Sequence, residues 1–191
     1  MLKNIVTQNI IDVFKQVGGL SSENEKILLN SINRRNVPAN TILQKQGRIS
    51  DKIYFVEKGI VRTFYFKDGK DVTYSIATQN DFAGSMSSFF MQKPSNKIVE
   101  TLEESHLWEL EYGRLESLFE ANQELSRVGR LFTNYGISVM EKRFDDMMFY
   151  TAKERYIILV QERPELLQKV PLGMIASYLG VIQETLSRIR K

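Results

Sequence analysis

The sequence predicts an α+β fold: an antiparallel β domain of barrel or jelly-roll kind, one long helix, and a small C-terminal pair of helices around a tight turn. Three observations carry this. Across residues 37–111 apolar side chains follow a period of two, rich in β-branched and aromatic types and broken by turn signals. Across 114–150 the spacing changes to threes and fours, the period of a helix. Residues 170–191 then carry two short apolar sets on either side of Gly180.

In chain order, Ile5, Ile10, Ile11, Phe14 and Val17 lie near helical spacing, and Gly18-Gly19 ends that helix. Ser22 and Glu25 have capping-box spacing before a second helix with Ile27, Leu28, Leu29 and Ile32, which Arg34, Arg35 and Asn36 close. Strands are expected at 41–43, 53–56, 60–66 and 72–77, with Lys58-Gly59 turning the chain. Asp68-Gly69 between two such runs is a strong hairpin signal. Phe82, Met86, Phe89 and Phe90 continue the core less regularly, and 97–102 and 106–111 read as the last strands.

In the long helical stretch, Leu125, Val128, Phe132, Tyr135 and Val139 step by three, four, three and four. That is an a/d seam suited to a partner helix. Packing on the chain's own β domain is the competing explanation. Thr151 and Glu154 form a second capping box, opening a helix over 152–161 that carries Ile157, Ile158 and Val160 and is limited by Pro164. Thr151 therefore marks the expected boundary between domains 1–150 and 151–191. The second is too short to hold a core alone, at roughly 40 residues, and must borrow from its neighbours.

Pro171 opens the first terminal helix, whose face is Ile175, Ala176 and Leu179. Gly180 can turn left-handed and stop it. Ile182, Leu186 and Ile189 form the second apolar set, leaving Gln183, Glu184, Ser187, Arg188 and Lys191 off the stripe. This is the helix-turn-helix pattern, and such side chains reach base edges or phosphates in a major groove. Paired amphipathic helices are also common where no DNA is bound.

Composition excludes several classes. With 26 Lys+Arg against 23 Asp+Glu the net charge is only +3. Within 171–191, however, Arg188, Arg190 and Lys191 face Glu184 alone. The chain has no cysteine, which rules out disulfides, thiolate catalysis and cysteine-ligated iron–sulfur sensing. The single histidine, His106, lies in an alternating run and reads as structural. No metal site or cofactor is expected, a cupin-like enzyme lacks its ligands, and no Gly-rich phosphate loop occurs. No signal peptide or membrane-length apolar run is legible, so a cytoplasmic location with no membrane partner is expected.

The string A-S-Y-L-G followed by E-T-L-S-R-I-R-K resembles the DNA-binding motif of the Crp/Fnr family of bacterial transcription regulators. The resemblance extends over essentially the whole chain, its specific part being these last residues. It implies an N-terminal β-roll related to cyclic-nucleotide-binding domains, a long dimerisation helix, and a homodimer that binds double-stranded DNA and works with RNA polymerase rather than catalysing a reaction. It places base readers at Gln183, Glu184 and Arg188, with Ser187, Arg190 and Lys191 beside them.

The family's phosphate-binding cassette pairs Gly-Glu with a later Arg-Ser. Here Gly84 keeps the glycine, Ser85 replaces the acid, Ser95 the arginine and Asn96 the serine. Lys97 offers a charge without the planar fork that grips phosphate bidentately. Cyclic AMP is therefore not expected as a tight ligand. The pocket is empty, takes an unknown small effector, or is packed shut by Phe89 and Phe90. Opposite these expectations stands a protein-interaction or sensing module whose helix-turn-helix is structural.

Overall fold

The computed structural model describes residues 10–191. The part of the first expected helix at Ile5 lies outside them. Helix α1 (Ile10–Gly18) buries Ile10, Ile11, Val13 and Phe14. Helix α2 (Ser22–Ser31) is capped by Ser21, whose Oγ accepts from Asn24 N. This corrects the Ser22/Glu25 box. Ser21 N and Oγ donate to Glu124 at 2.6 and 2.9 Å, and Glu25 pairs with Lys15 at 2.5 Å instead. A carboxylate distant in sequence takes the role that a residue three places on was expected to fill.

Arg34, Arg35 and Asn36 do not close α2. They lie in strand β1 (Asn33–Val37), which pairs antiparallel with β8 (Ser105–Glu111). Only Val37 of β1 is buried, so the ladder and the Arg34–Glu57 and Arg35–Glu109 ion pairs hold this edge. The other strands are β2 (Ile42–Gln44), β3 (Lys52–Lys58), β4 (Val61–Lys67), β5 (Lys70–Ala77), β6 (Phe82–Ala83) and β7 (Ile98–Thr101). They form two antiparallel four-stranded sheets, ordered β1-β8-β3-β6 and β2-β7-β4-β5. Between β4 and β5, Asp68 and Gly69 both take positive φ, 52° and 73°, the two-residue turn that suits strand twist. His106 sits within β8 opposite Asn36.

Alternation on β3 shows how the layers form. Tyr54 and Val56 point between the sheets, joining Val61, Ala77, Val99 and Leu107. Ile53 and Phe55 point outward into a second core with α1, α2 and Leu110. Helix α3 (Met86–Met91) adds Phe89, and α4 (Tyr112–Ala121) adds Leu115 to that outer core.

The helical stretch 114–150 is two helices. Asn122 is extended, with φ −139°, and its Oδ1 accepts from Leu125 N at 3.1 Å, starting α5 (Gln123–Phe149) anew. The expected seam divides along α5. Leu125 and Val128 are each 1% exposed within the chain's own core. Phe132 stacks on Phe14 and Phe82 at 5.4 and 4.5 Å. Tyr135 is half-buried and only Val139 is exposed. The first part of the seam therefore serves the β domain. Beyond it α5 leaves several apolar residues exposed, among them Ile137, Met140, Phe144 and Met148, at 59, 54, 64 and 65%, which follow one another at helical spacing.

Helix α6 (Ala152–Glu162) begins with the anticipated Thr151–Glu154 capping box. Its buried residue is Leu159, whereas Ile157 and Val160 are exposed. A short α7 (Leu166–Lys169) follows, then α8 (Leu172–Tyr178) and α9 (Gln183–Ile189). Pro171 caps α8 rather than opening its first turn, its carbonyl accepting from Met174 and Ile175. This segment borrows its core as expected, but from the outer side of the second sheet. Ile60 and Ile76 join Leu159, Leu166, Ile175, Ala176 and Leu186 in one cluster.

Candidate nucleic-acid interface

The turn between α8 and α9 is fixed by three independent features. Gly180 takes φ +73°, its N donates to Ser177 O at 3.0 Å, and Val181 N donates to Ala176 O at 3.0 Å. These are the two bonds of a Schellman stop, with glycine at the left-handed position. A Cβ on Gly180 would also lie 2.7 Å from Met147 Cε of α5. The carbonyls ending α8 are met by cations. Arg143 donates to Tyr178 O at 3.0 Å and stacks on the Tyr178 ring at 3.9 Å. Arg155 donates to Leu179 O at 3.1 and 2.9 Å. Both arginines complement the negative end of the helix and are committed to the fold.

Helix α9 then anchors through Leu186, which is fully buried, with Ile189 half-buried beside it. Gln183, Glu184, Arg188, Arg190 and Lys191 are exposed and Ser187 is half-buried. The Gln183 carboxamide lies over α8, its Oε1 3.0 Å from where a Cβ on Gly173 would stand. One expected core residue is misplaced: Ile182 is 66% exposed. It occupies the N-cap of α9 in extended conformation and makes no capping bond.

The cassette residues lie at the start of α3 and before β7. Gly84 takes φ +144°. Ser85 and Ser95 are buried, and Ser95 Oγ donates to Ser85 Oγ at 2.8 Å. Lys97 N donates to Ser95 Oγ at 2.9 Å. The two serines that stand where a carboxylate and a guanidinium are expected thus satisfy each other. Lys97 Nζ sits 3.9 Å above the Tyr74 ring, and burial lowers the pKa of its ammonium. Asn96 is exposed. Phe89 does not fill this place, since it packs with Ile53 and Leu115, and its neighbour Phe90 is 44% exposed.

Sequence reasoning missed the bridge between the two halves. Arg163 donates to Ile76 O, Thr78 Oγ1 and Asp81 Oδ2, each at 2.8 Å. Asp81 lies three residues before Gly84. Thr73 N of β5 donates to Ser177 Oγ of α8 at 2.8 Å, and Lys169 pairs with Glu103 at 3.0 Å. Thr73 Oγ1 in turn accepts from Arg62, a fully buried guanidinium paired with Asp71 and Glu100 at 2.7 and 3.2 Å. No local pattern marks Arg163, which looks like an ordinary helix-end cation before Pro164.

Among the described residues no cluster of His, Asp or Glu suits a metal ion. No described helix is long and apolar enough to cross a membrane.

Comparison with known proteins places this geometry. Residues 34–122 match the family model of the cyclic nucleotide-binding domain. No curated protein sequence matches the chain. Solved structures with a similar fold include FixK2 from Bradyrhizobium japonicum, 18% identical, covering 83% of this chain and 82% of that one, with TM-score 0.68. The c-di-GMP-responsive global regulator CLP of Xanthomonas campestris is 20% identical, covering 88% and 89%, with TM-score 0.63. A Crp/Fnr-family transcriptional regulator from Eubacterium rectale is 17% identical, covering 89% and 82%, with TM-score 0.64. At such identities the likeness is one of fold.

Proposed function

We propose that the chain is a homodimeric, DNA-binding transcriptional regulator of the Crp/Fnr type that does not respond to cyclic AMP. The observation that carries this is α9: it buries Leu186 and leaves Gln183, Glu184, Arg188, Arg190 and Lys191 exposed beside a rigid turn. In this reading α8 and α9 act as a helix-turn-helix. Arg188 pairs with a guanine, Glu184 accepts from a cytosine amine, and Gln183 can pair with adenine. Arg190 and Lys191 meet phosphates, and Ser187 packs at the edge.

Residues 1–150 form the effector unit and 151–191 the DNA-reading unit, with Thr151 between them. The partner helix docks on the exposed face Ile137, Met140, Phe144 and Met148, whose steps of three, four and four suit helix pairing. Leu125, Val128 and Phe132 are occupied internally and take no part. Two α9 helices related by the dimer axis would read half-sites about 34 Å apart. The mutual Ser85–Ser95 hydrogen bond supports loss of cyclic-nucleotide binding, because neither the carboxylate for a ribose hydroxyl nor the guanidinium for a phosphate is present. The roll then takes an unknown small effector or none. RNA polymerase is the further partner, and the cytoplasm the setting.

The test compares Arg188→Ala and Lys191→Ala on specific and scrambled DNA at two salt concentrations. Arg188→Ala should cost roughly 1–3 kcal/mol per half-site on specific DNA and relax one base position. Lys191→Ala should weaken both DNAs alike and flatten the salt dependence. Equal losses for Arg188→Ala on both DNAs would remove its base-reading role.

A further inference from the structure

We infer that Ile182 is a specificity-determining residue that reads the C5-methyl group of a thymine, an inference that rests on the DNA-reading role proposed for α9. A single exposed isoleucine is ordinary on a protein surface. This one stands where the fold gains nothing from it. It occupies the N-cap of α9, where a Ser or Thr hydroxyl would accept a first-turn N–H, and it makes no such bond. It is not repaid by burial either, being 66% exposed while Leu186, one turn along, is fully buried and Val181, just before it, packs into the core. Both intramolecular reasons for a residue at this position are absent.

What remains is what the side chain faces. Ile182 directly precedes Gln183 and Glu184, both exposed. An aliphatic side chain there can neither donate nor accept a hydrogen bond and gains nothing from a phosphate. The major groove offers one apolar group, the thymine methyl, and it lies beside the acceptors and donors that neighbouring polar residues read. The rigid Gly180 stop fixes where the side chain is presented, so the contact would fall at one base position per half-site.

The experiment uses the full chain and a duplex that it selects from random DNA. Each thymine of the half-site is replaced in turn by deoxyuridine, which removes only the methyl. At one position the native protein should lose about fourfold in affinity per half-site, the worth of one methyl withdrawn from water. Ile182→Ser should be indifferent to that replacement and, selected afresh, should show no thymine preference there. Ile182→Val should keep both. Thermal melting of Ile182→Ser should equal or exceed that of the native protein, since the cap is restored, which separates readout from folding. If no thymine is sensitive in the native complex, or if Ile182→Ser keeps the same sensitivity, the inference is overturned while DNA binding stands. If the native protein selects no sequence, both the inference and the DNA-reading role fall.

Discussion

Replacing Arg163 with Met should loosen the docking of the C-terminal helices on the β domain. The Arg163 side chain is 11% exposed, and its guanidinium makes three bonds of 2.8 Å, to Ile76 O, Thr78 Oγ1 and Asp81 Oδ2. Hydrogen bonds to charged groups contribute about 1.5–3 kcal/mol each. Two facts reduce the sum. The Asp81 side chain is 34% exposed and can rehydrate, and Arg163 Nε has no hydrogen-bond acceptor, the Glu165 carboxylate standing 4.0 Å from it. Met keeps most of the aliphatic stem. A loss of about 2–4 kcal/mol is therefore expected. Urea unfolding measures it, and a cycle with Asp81→Asn should give a coupling of about 1–2 kcal/mol. Amide exchange should quicken in α8 and α9 and stay unchanged in α1. A loss below about 0.5 kcal/mol, the level of an uninvolved surface change, would refute the idea that Arg163 fastens the two parts.

Three other outcomes are expected. Phe144→Asp should give a monomer by sedimentation with little change in the roll, whereas Phe132→Asp should cost several kcal/mol of fold stability, since Phe132 packs on Phe14 and Phe82. Cyclic AMP should show no binding by calorimetry, and a dissociation constant at or below the micromolar range would contradict the reading of Ser85 and Ser95. Glu124 is held below the ordinary carboxylate value of 4.5 by Ser21 N–H, then by Ser21 Oγ and Asn24. A depressed pKa contributes stability that is complete above 4.5 and lost as pH falls through the lowered folded value. Glu124→Gln should therefore be less stable than the native chain at neutral pH, with the difference shrinking in acid, as thermal melting against pH would record.

The β domain was legible because its strands carry their own signals. Alternation marks β3, and Asp68-Gly69 can form few other structures. β1 was missed because Asn33, Arg34, Arg35 and Asn36 carry no apolar alternation, and the strand exists through pairing with β8. Local spacing sets the cap of α2 one residue late, because Glu124, the carboxylate that Ser21 binds, is 103 positions from it. The seam on α5 shows a limit of periodicity. The steps at Leu125, Val128 and Phe132 identify a buried face without saying what buries it, and the face turned to solvent begins only at Ile137. Gly180 and Leu186 are legible from local pattern, but spacing alone puts Ile182 in the core, where the structure leaves it exposed. Its exposure follows from where the Gly180 turn sets the start of α9, which is a three-dimensional fact. Arg163 and Ser177 were invisible for the same reason, since each meets a residue at least 82 positions away.

The central claim is that α8 and α9 of two chains read DNA together. Selection of bound sequences from random duplexes by the purified protein tests it most directly. A two-fold symmetric consensus is expected, its half-sites centred about one helical turn apart, roughly 10 base pairs. Recovery of no enriched sequence, or of an asymmetric single half-site bound by a monomer, would contradict it.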